Sequence, residues 1–378
     1  MSATNFAALT DHEKKVWSMD FWNKARNMSF LNKFVGTSED SLIQRVDELK
    51  KDEKGARAVI TLVNDLEGDG RAGDRQLAGY EEALTSEEQV IQVDQLRHAN
   101  RNKGRMSDQR SIIKFREQSR NKLAYWMSDR HDQLAFLSLS GVDYGLHTNG
   151  APRVGSDLPL LEFAADVKAP TANRYFSLET GGTGALTTLA NTDANFTATS
   201  TLKWQTFVDL KAHAKNTYLR EIRMDNGVAF YHAFVTPLGM AQLRKDSDFI
   251  QIVRDAGVRG KGNELFKGTD TILVDGIAIS EYRHVFNTTG AVSGVGKWGP
   301  SADINGQRML FCGAQALGYA DIGLPTWVEE DRDFENINAI STGKIAGYLK
   351  PQFEGKASSG LGTGVIEDFG VITVDSAI

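Results

Sequence analysis

The sequence predicts an α+β protein built around one long helix, and two observations carry that prediction. From Ser107 to Leu139 the apolar residues Ile112, Phe115, Leu123, Trp126, Leu134 and Leu137 recur at spacings of three, four or their sums, which puts them on one stripe of a helix. Before and after this stretch, short apolar and β-branched runs bounded by turn residues read as strands. Asp108 can cap the helix start, no Gly or Pro interrupts it, and Gly141 stands just past its end where a left-handed closing residue is wanted. At full length this helix measures about 45–50 Å. That exceeds the radius of a single domain from this chain, so the helix acts as a beam joining separate regions.

Composition sets the bounds. A chain of 378 residues, 41% hydrophobic and 24% charged, fits an ordinary globular protein of roughly two or three domains. It holds no run of about 18 apolar residues that would span a membrane, and MSATNFAALTDHEKK lacks the layout of a secretory signal. Cys312, the single cysteine, lies in the apolar run Met309–Cys312 and reads as a buried strand residue. The seven histidines are scattered, with no H-E-x-x-H and no G-x-S-x-G. No catalytic set, metal site or cofactor is expected.

Near the start, Thr10 and Glu13 form a capping box, followed by Trp17, Phe21, Ala25 and Met28 on one helical face with Trp22 beside it. A polar linker from Gly36 to Asp40 comes next, then a second short helix expected over about Ser41 to Leu49. The aromatic stripe packs either on the chain's own core or on another subunit. Ala56–Val63 and Val90–Leu96 read as two strands of a hairpin. Between them Gly68, Asp69, Gly70, Arg71, Ala72 and Gly73 fit G-x-G-x-x-G, with Asp94 where a dinucleotide fold places its ribose-binding acid. The next segment, Asp74 to Gly79, is polar and interrupted, so no helix opens there to receive a pyrophosphate. A second match, Gly294–Gly299, runs into Pro300 and fails for the same reason. A mobile hairpin tip is the expected reading of the first.

From Arg97 to Arg130 ten Lys or Arg face three acids, a local excess of about +7 in a chain of net charge −6. Arg110, Lys114, Arg116, Arg120 and Lys122 lie on the long helix. Such a face meets phosphates or pairs with acids such as Glu81, Glu82, Glu87 and Glu88 of a neighbouring hairpin. Further on, Trp204, Phe207, Val208, Ala214 and Tyr218 return to helical spacing within Leu202–Leu219. Val228–Val235 is apolar on both faces, a strand buried within a sheet and stopped by Pro237. Asp246 or Ser247 caps a helix carrying Phe249, Ile250 and Val253. Asp275–Gly276 marks a turn between strands at Thr271–Val274 and Ile277–Ser280. Further strands are expected at Arg308–Cys312, at the acidic stretch Trp327–Glu335, and at Val371–Val374.

The order of these parts resembles the major capsid proteins of tailed bacteriophages with the Hong Kong 97-type fold. Particular residues resemble the branch of enterobacteria phage N4 and related podoviruses. The matching stretches are Leu62–Glu82, Gly104–Gln109, the helix with Trp126 and Asp132, Phe234–Pro237 leading to Leu243, Arg244 and Phe249, then Arg259–Gly260, Phe266–Gly268 and Gly276–Glu281. The resemblance implies an N-terminal arm (1–55), an E-loop hairpin (56–105), a peripheral domain with the spine helix (106–235), an axial domain (236–324) and return strands of the peripheral domain (325–378). It implies contacts between subunits at Trp17, Phe21, Trp22 and at the tip residues Gly68, Asp69, Gly70, Arg71 and Asp74. The implied function is an icosahedral head, built from hexamers and pentamers of this chain, around double-stranded DNA that the basic face touches weakly. Portal and cement proteins are implied as partners. With Met1 opening directly on the arm, a separate scaffolding protein is expected. An encapsulin-like nanocompartment and a dinucleotide-binding enzyme are the alternatives. Some phages of this fold weld neighbours through an E-loop lysine, but no lysine lies between Lys54 and Lys103, so that weld is not expected here.

Overall fold

The long helix of the sequence is described over Arg105–Gln109 and again over Phe115–Ser140, where it passes between two sheets. The computed structural model describes residues 11–46, 57–63, 69–82, 86–109, 115–178, 186–188, 196–223, 229–256, 271–334, 336–354 and 365–378. The chain begins with α1 (Asp11–Met28), β1 (Val35–Gly36) and β2 (Ile43–Val46). The hairpin β3 (Arg57–Val63) and β4 (Ser86–Gln92) comes next, then β5 (Asp94–Arg101), α2 (Arg105–Gln109) and α3 (Phe115–Ser140). After these lie β6 (Tyr175–Leu178), β7 (Leu186–Thr188), α4 (Trp204–Asn216), β8 (Ile222–Arg223), β9 (Ala229–Val235), α5 (Pro237–Leu243) and α6 (Ser247–Ala256). The last part holds β10 (Thr271–Val274), β11 (Ile277–Glu281), β12 (Gly306–Cys312), β13 (Leu317–Arg332), β14 (Ile337–Leu349), β15 (Gln352–Glu354), β16 (Ile366–Asp368) and β17 (Val371–Ala377).

α3 spans about 39 Å. Its first half buries one side, through Leu123, Ala124 and Met127, while Lys122 and Tyr125 stay exposed. From His131 to Ser140 every residue is buried, because this half lies between the two main sheets. Leu134, Phe136, Leu137 and Leu139 share one core with Phe234, Leu310 and Cys312 on one side and Leu317, Tyr319, Ala346 and Tyr348 on the other. The helix closes as expected at Gly141, whose φ is +64°. Its N–H donates to Ser138 and that of Val142 to Leu137, the paired closing bonds of a left-handed cap. A Cβ here would lie 2.5 Å from the Lys168 carbonyl oxygen, so glycine is required twice over.

The first sheet runs β1-β2-β13-β14-β5 and the larger one β10-β11-β9-β12-β17-β6-β7, with β8 beside β9. β9 sits between a parallel β11 and an antiparallel β12. Its Phe234 faces the core around α3, whereas Tyr231, Ala233 and Val235 face a second core with Phe207 and Leu210 of α4, Met240 of α5 and Phe249 of α6. Burial on both faces explains the unbroken apolar run. The Asp275–Gly276 turn joins β10 to β11 with φ of +49° and +70°, and Thr236 caps α5 by accepting the Gly239 N–H.

Two expectations are corrected. The helix over Ser41–Leu49 is instead β2, because parallel pairing of Ile43–Val46 with Leu317–Ala320 outweighs the local pattern; residues 47–49 lie outside the described residues. Val90–Leu96 is not one strand. β4 ends at Gln92 and β5 starts at Asp94, whose carboxylate accepts the N–H groups of Gln95 and Glu162 at the break. β5 then pairs along β14 from Asp94 to Arg101. β6, β9 and β17 lie in the same sheet as β10 to β12.

The hairpin base is seated on glycines. Ala58, Ile60 and Ile91 pack on Val46, Ala320 and Leu349, and a Cβ at Gly347 would lie 2.1 Å from the Gln92 carbonyl oxygen. Backbone cannot yield as a side chain can, so Gly347→Ala forces the hairpin to lift. The expected cost is about 1–3 kcal/mol, read as a lower urea midpoint of unassembled protein together with faster protease cleavage in β3–β4.

Candidate subunit-contact surfaces

α1 lies against the first half of α3 and against β13. Phe21 is fully buried with Leu123, Met127, Trp327 and Ile340, its ring 5.7 Å from Trp327. Lys24 donates to Asn121 at 2.7 Å, and Arg120 pairs with Asp20 at 2.6 Å. Trp22 is half-buried, with the Lys344 ammonium 4.1 Å from its ring centre. Lys344 itself is buried, paired with Asp321 and donating to the Gly323 carbonyl. Burial lowers its pKa, which the Asp321 charge opposes. A contact between subunits at Phe21 and Trp22 does not fit this placement, since both serve the subunit's own core. Trp17 lies on α1, but its side chain is outside the described residues. Met19 and Met28 of α1 are exposed.

Two cations of the basic face are paired within the subunit. Arg116 binds Glu329 of β13 through both ends of its guanidinium, at 2.9 and 2.6 Å, and Glu329 also accepts the Trp327 indole N–H. With Arg120 held by Asp20, Lys122 is the exposed cation of the three that are described. Arg110 and Lys114 lie outside the described residues. Within the subunit, Arg116 and Arg120 meet Glu329 and Asp20.

The hairpin tip has its own order. All residues from Asp69 to Glu82 are exposed, including Asp69, Gly70, Arg71 and Asp74; Gly68 lies outside the described residues. Arg71 stacks on Tyr80, its guanidinium carbon 3.2 Å from the ring centre. The Glu81 carboxylate accepts the Gly79 N–H at 2.6 Å, and bonds from its own and the Gly79 backbone hold its pKa below the usual range. Gly70, Gly73 and Gly79 all have positive φ. No helix opens after Gly73, and Asp94 is engaged by backbone amides, so no dinucleotide cradle forms here.

Buried polar groups mark structure, not chemistry. His131 is bonded through Nδ1 to the Tyr348 hydroxyl at 2.6 Å, and His232 through Nε2 to Ser280 at 3.0 Å. Burial pushes the Cys312 thiol pKa far up. No cluster of metal-binding side chains occurs among the described residues. Buried charges that no local pattern announced are Arg174 with Glu367, Lys350 with Asp368, and Arg308 with Asp375.

A two-sheet body on a spine helix, with an arm folded along it and a self-ordered hairpin held out in solvent, defines a shell-building structural protein of the Hong Kong 97-like capsid kind. The comparisons agree with that class. A family profile described as phage capsid protein matches residues 5–378. The major capsid protein of Pseudomonas phage KPP25 is 53% identical over 371 residues, covering 98% of this chain and 96% of that protein. Among solved structures, the capsid of Ralstonia phage GP4 superposes with a TM-score of 0.71 at 26% identity, covering 92% of this chain and 91% of that one. The cyanophage Pam1 capsid shares the fold at a TM-score of 0.66 and 16% identity, covering 100% and 96%. The chain belongs to the phage capsid protein family, as a major capsid protein. Its relatives are structural proteins and not enzymes, so the dinucleotide-enzyme reading falls. No helix among the described residues is long and apolar enough to cross a membrane, and the protein's place is the virion capsid.

Two of the buried histidines, His131 and His232, set a pH dependence. Burial lowers both pKa values to about 3, with the Lys344 charge adding to the effect at His131. Unfolded, both titrate near about 6.5. Between those values the unfolded chain takes up protons that the folded chain refuses, so stability falls as pH drops through that window. The slope is at most about 1.4 kcal/mol per pH unit for each histidine, and above the window neither contributes. Urea midpoints measured from about pH 7 to pH 4 should show a steeper loss in the parent than in a His131→Gln, His232→Gln variant; equal slopes would contradict this.

Proposed function

We propose that this chain assembles as hexamers and pentamers into the icosahedral head of a tailed phage of the N4-like branch, enclosing its double-stranded DNA. The observation that carries this reading is the exposed, internally braced stretch Asp69–Glu82. A segment that orders itself and stays exposed along its described length is suited to lie on a neighbour, and the glycines let backbones approach closely. In this reading α1 and β1–β2 form the arm, β3–β4 the E-loop, α3 with the five-stranded sheet the peripheral domain, and the larger sheet with α4–α6 the axial domain. A scaffolding protein, a portal and a cement protein act as partners, as the N4-like resemblance suggests. Packaged DNA meets a surface on which Arg116 and Arg120 are already paired, so contact is weak and without sequence preference.

Electron microscopy of the expressed protein tests the reading. Shells of several tens of nanometres are expected. Cages on the scale of an encapsulin, or monomers that no cofactor protein drives into shells, would overturn it. Mature particles boiled in detergent should run as one band at the monomer mass. Between Lys54 and Lys103 the long basic side chains are all arginines, Arg57, Arg71, Arg75, Arg97 and Arg101, and a guanidinium stays protonated and unable to attack an amide. A covalent ladder would show another pair of residues doing the joining.

A further inference from the structure

The tip of the β13–β14 hairpin carries a feature that nothing within the subunit explains. Phe334 is completely exposed, at 101% of its reference area, and sits at φ +50° directly after Asp333 at φ +53°. Two successive left-handed residues are ordinary for Asn or Gly at a hairpin tip, but a bulky aromatic there is strained. The tip is held in this shape: the Asn336 N–H and side-chain amide both donate to Asp333, at 3.0 and 3.1 Å. Asn336 in turn accepts the Arg105 N–H at 3.2 Å, tying the tip to the start of α2. The subunit thus fixes a strained conformation whose result is to hold one aromatic ring out in water.

A hollow of matching character lies between the arm and β8–β9. Phe34, Ile222 and Phe230 line it beside Ser38, Ser41 and His232, its volume is about 510 Å³, and Lys33 and Arg223 line it with one acid, Asp40. The described hairpin tip is acidic, with Glu330, Asp331 and Asp333 against Arg332. We propose that Phe334 is an aromatic anchor that inserts into this hollow on a second copy of the chain, the acidic tip meeting Lys33 and Arg223. Because the knob and the hollow are different surfaces, the contact is head to tail and propagates from copy to copy, as a closed shell needs. A single buried aromatic with a charged rim is how an interface concentrates its energy.

The proposal rests on self-assembly into shells, so the unaltered protein assembled in parallel tests that reading separately. Phe334→Gly removes the ring and relieves the left-handed strain, and Phe334 packs on nothing that its loss would disturb. The variant monomer should therefore unfold at the same or a higher temperature, while shell yield falls more than about tenfold, the scale of losing an anchor residue. A variant that assembles like its parent, or a monomer that loses stability, would overturn the idea. The receptor is tested by Phe334→Cys with Val35→Cys at the hollow's wall, against a background where Cys312 is buried. Mild oxidation of assembled particles should give disulfide-linked multimers only when both cysteines are present. Loss of assembly in the glycine variant without such linkage would show that the ring docks elsewhere and refute the proposed hollow.

Discussion

A single buried carboxylate on the spine helix holds the subunit together across its sequence. Asp132 accepts the Ser29 hydroxyl at 2.6 Å, the Phe30 N–H at 2.9 Å and the Tyr282 hydroxyl at 2.6 Å. It thereby fixes the end of the arm helix, the middle of α3 and the segment leaving β11 at one point. Burial raises its pKa, and these hydrogen bonds act against that rise. Removing the carboxylate leaves buried donors unmet, which is costlier than the net worth of the bonds themselves. The aromatic packing depends on this tie: Phe30 stacks on Tyr282 with centres 4.1 Å apart, and Phe34, Phe136 and Phe234 gather around the pair.

At the far end of the same helix Arg308 does for the C-terminal strand what Asp132 does for the arm. Its guanidinium donates to the Ser140 carbonyl at 3.0 Å and to both oxygens of Asp375 at 2.9 and 3.0 Å, beneath the ring of Tyr175. A cation at a helix C-terminus meets carbonyls that have no partner in the helix. Buried ion pairs return little net stability against well-packed apolar groups, but they tolerate few alternative placements. Here the placement matters, since Arg308 and Asp375 face each other across the β12–β17 register. The spine is thus pinned at its middle and its end, and its first half is left to carry the arm.

What was legible in the sequence is what local periodicity controls. The α3 stripe, the two-faced β9, the β10–β11 turn and the Gly141 cap all derive from spacing or from one residue's conformational freedom. The failures are all non-local. Ser41–Leu49 has helical spacing, yet its partner strand begins at Leu317. β14 escaped notice because Gly343 and Gly347 break its pattern, and those glycines exist to admit Arg97 and Gln92 of other strands. Arg116 looked free for DNA because Glu329 lies 213 positions away. Lys344, Lys350 and Arg174 are almost wholly buried, against the usual expectation for charged side chains, and only their partners reveal why.

The division between spent and unspent groups is the physical content of the shell-building assignment. Arg116 and Arg120 on α3 are matched inside the subunit, and Phe21 and Ala25 of the arm are used there too. Two hairpin tips are treated differently. Arg71 with Tyr80 at one, and Asp333 with Asn336 at the other, order each tip through contacts local to it. Ordering a flexible loop at the moment of contact subtracts from the free energy of association, and a loop ordered beforehand avoids that subtraction. A subunit repeated many times in a shell meets this cost at every contact. Stiff tips on a spine pinned at two points therefore favour one angle of approach over many, which is what a closed surface of identical parts requires.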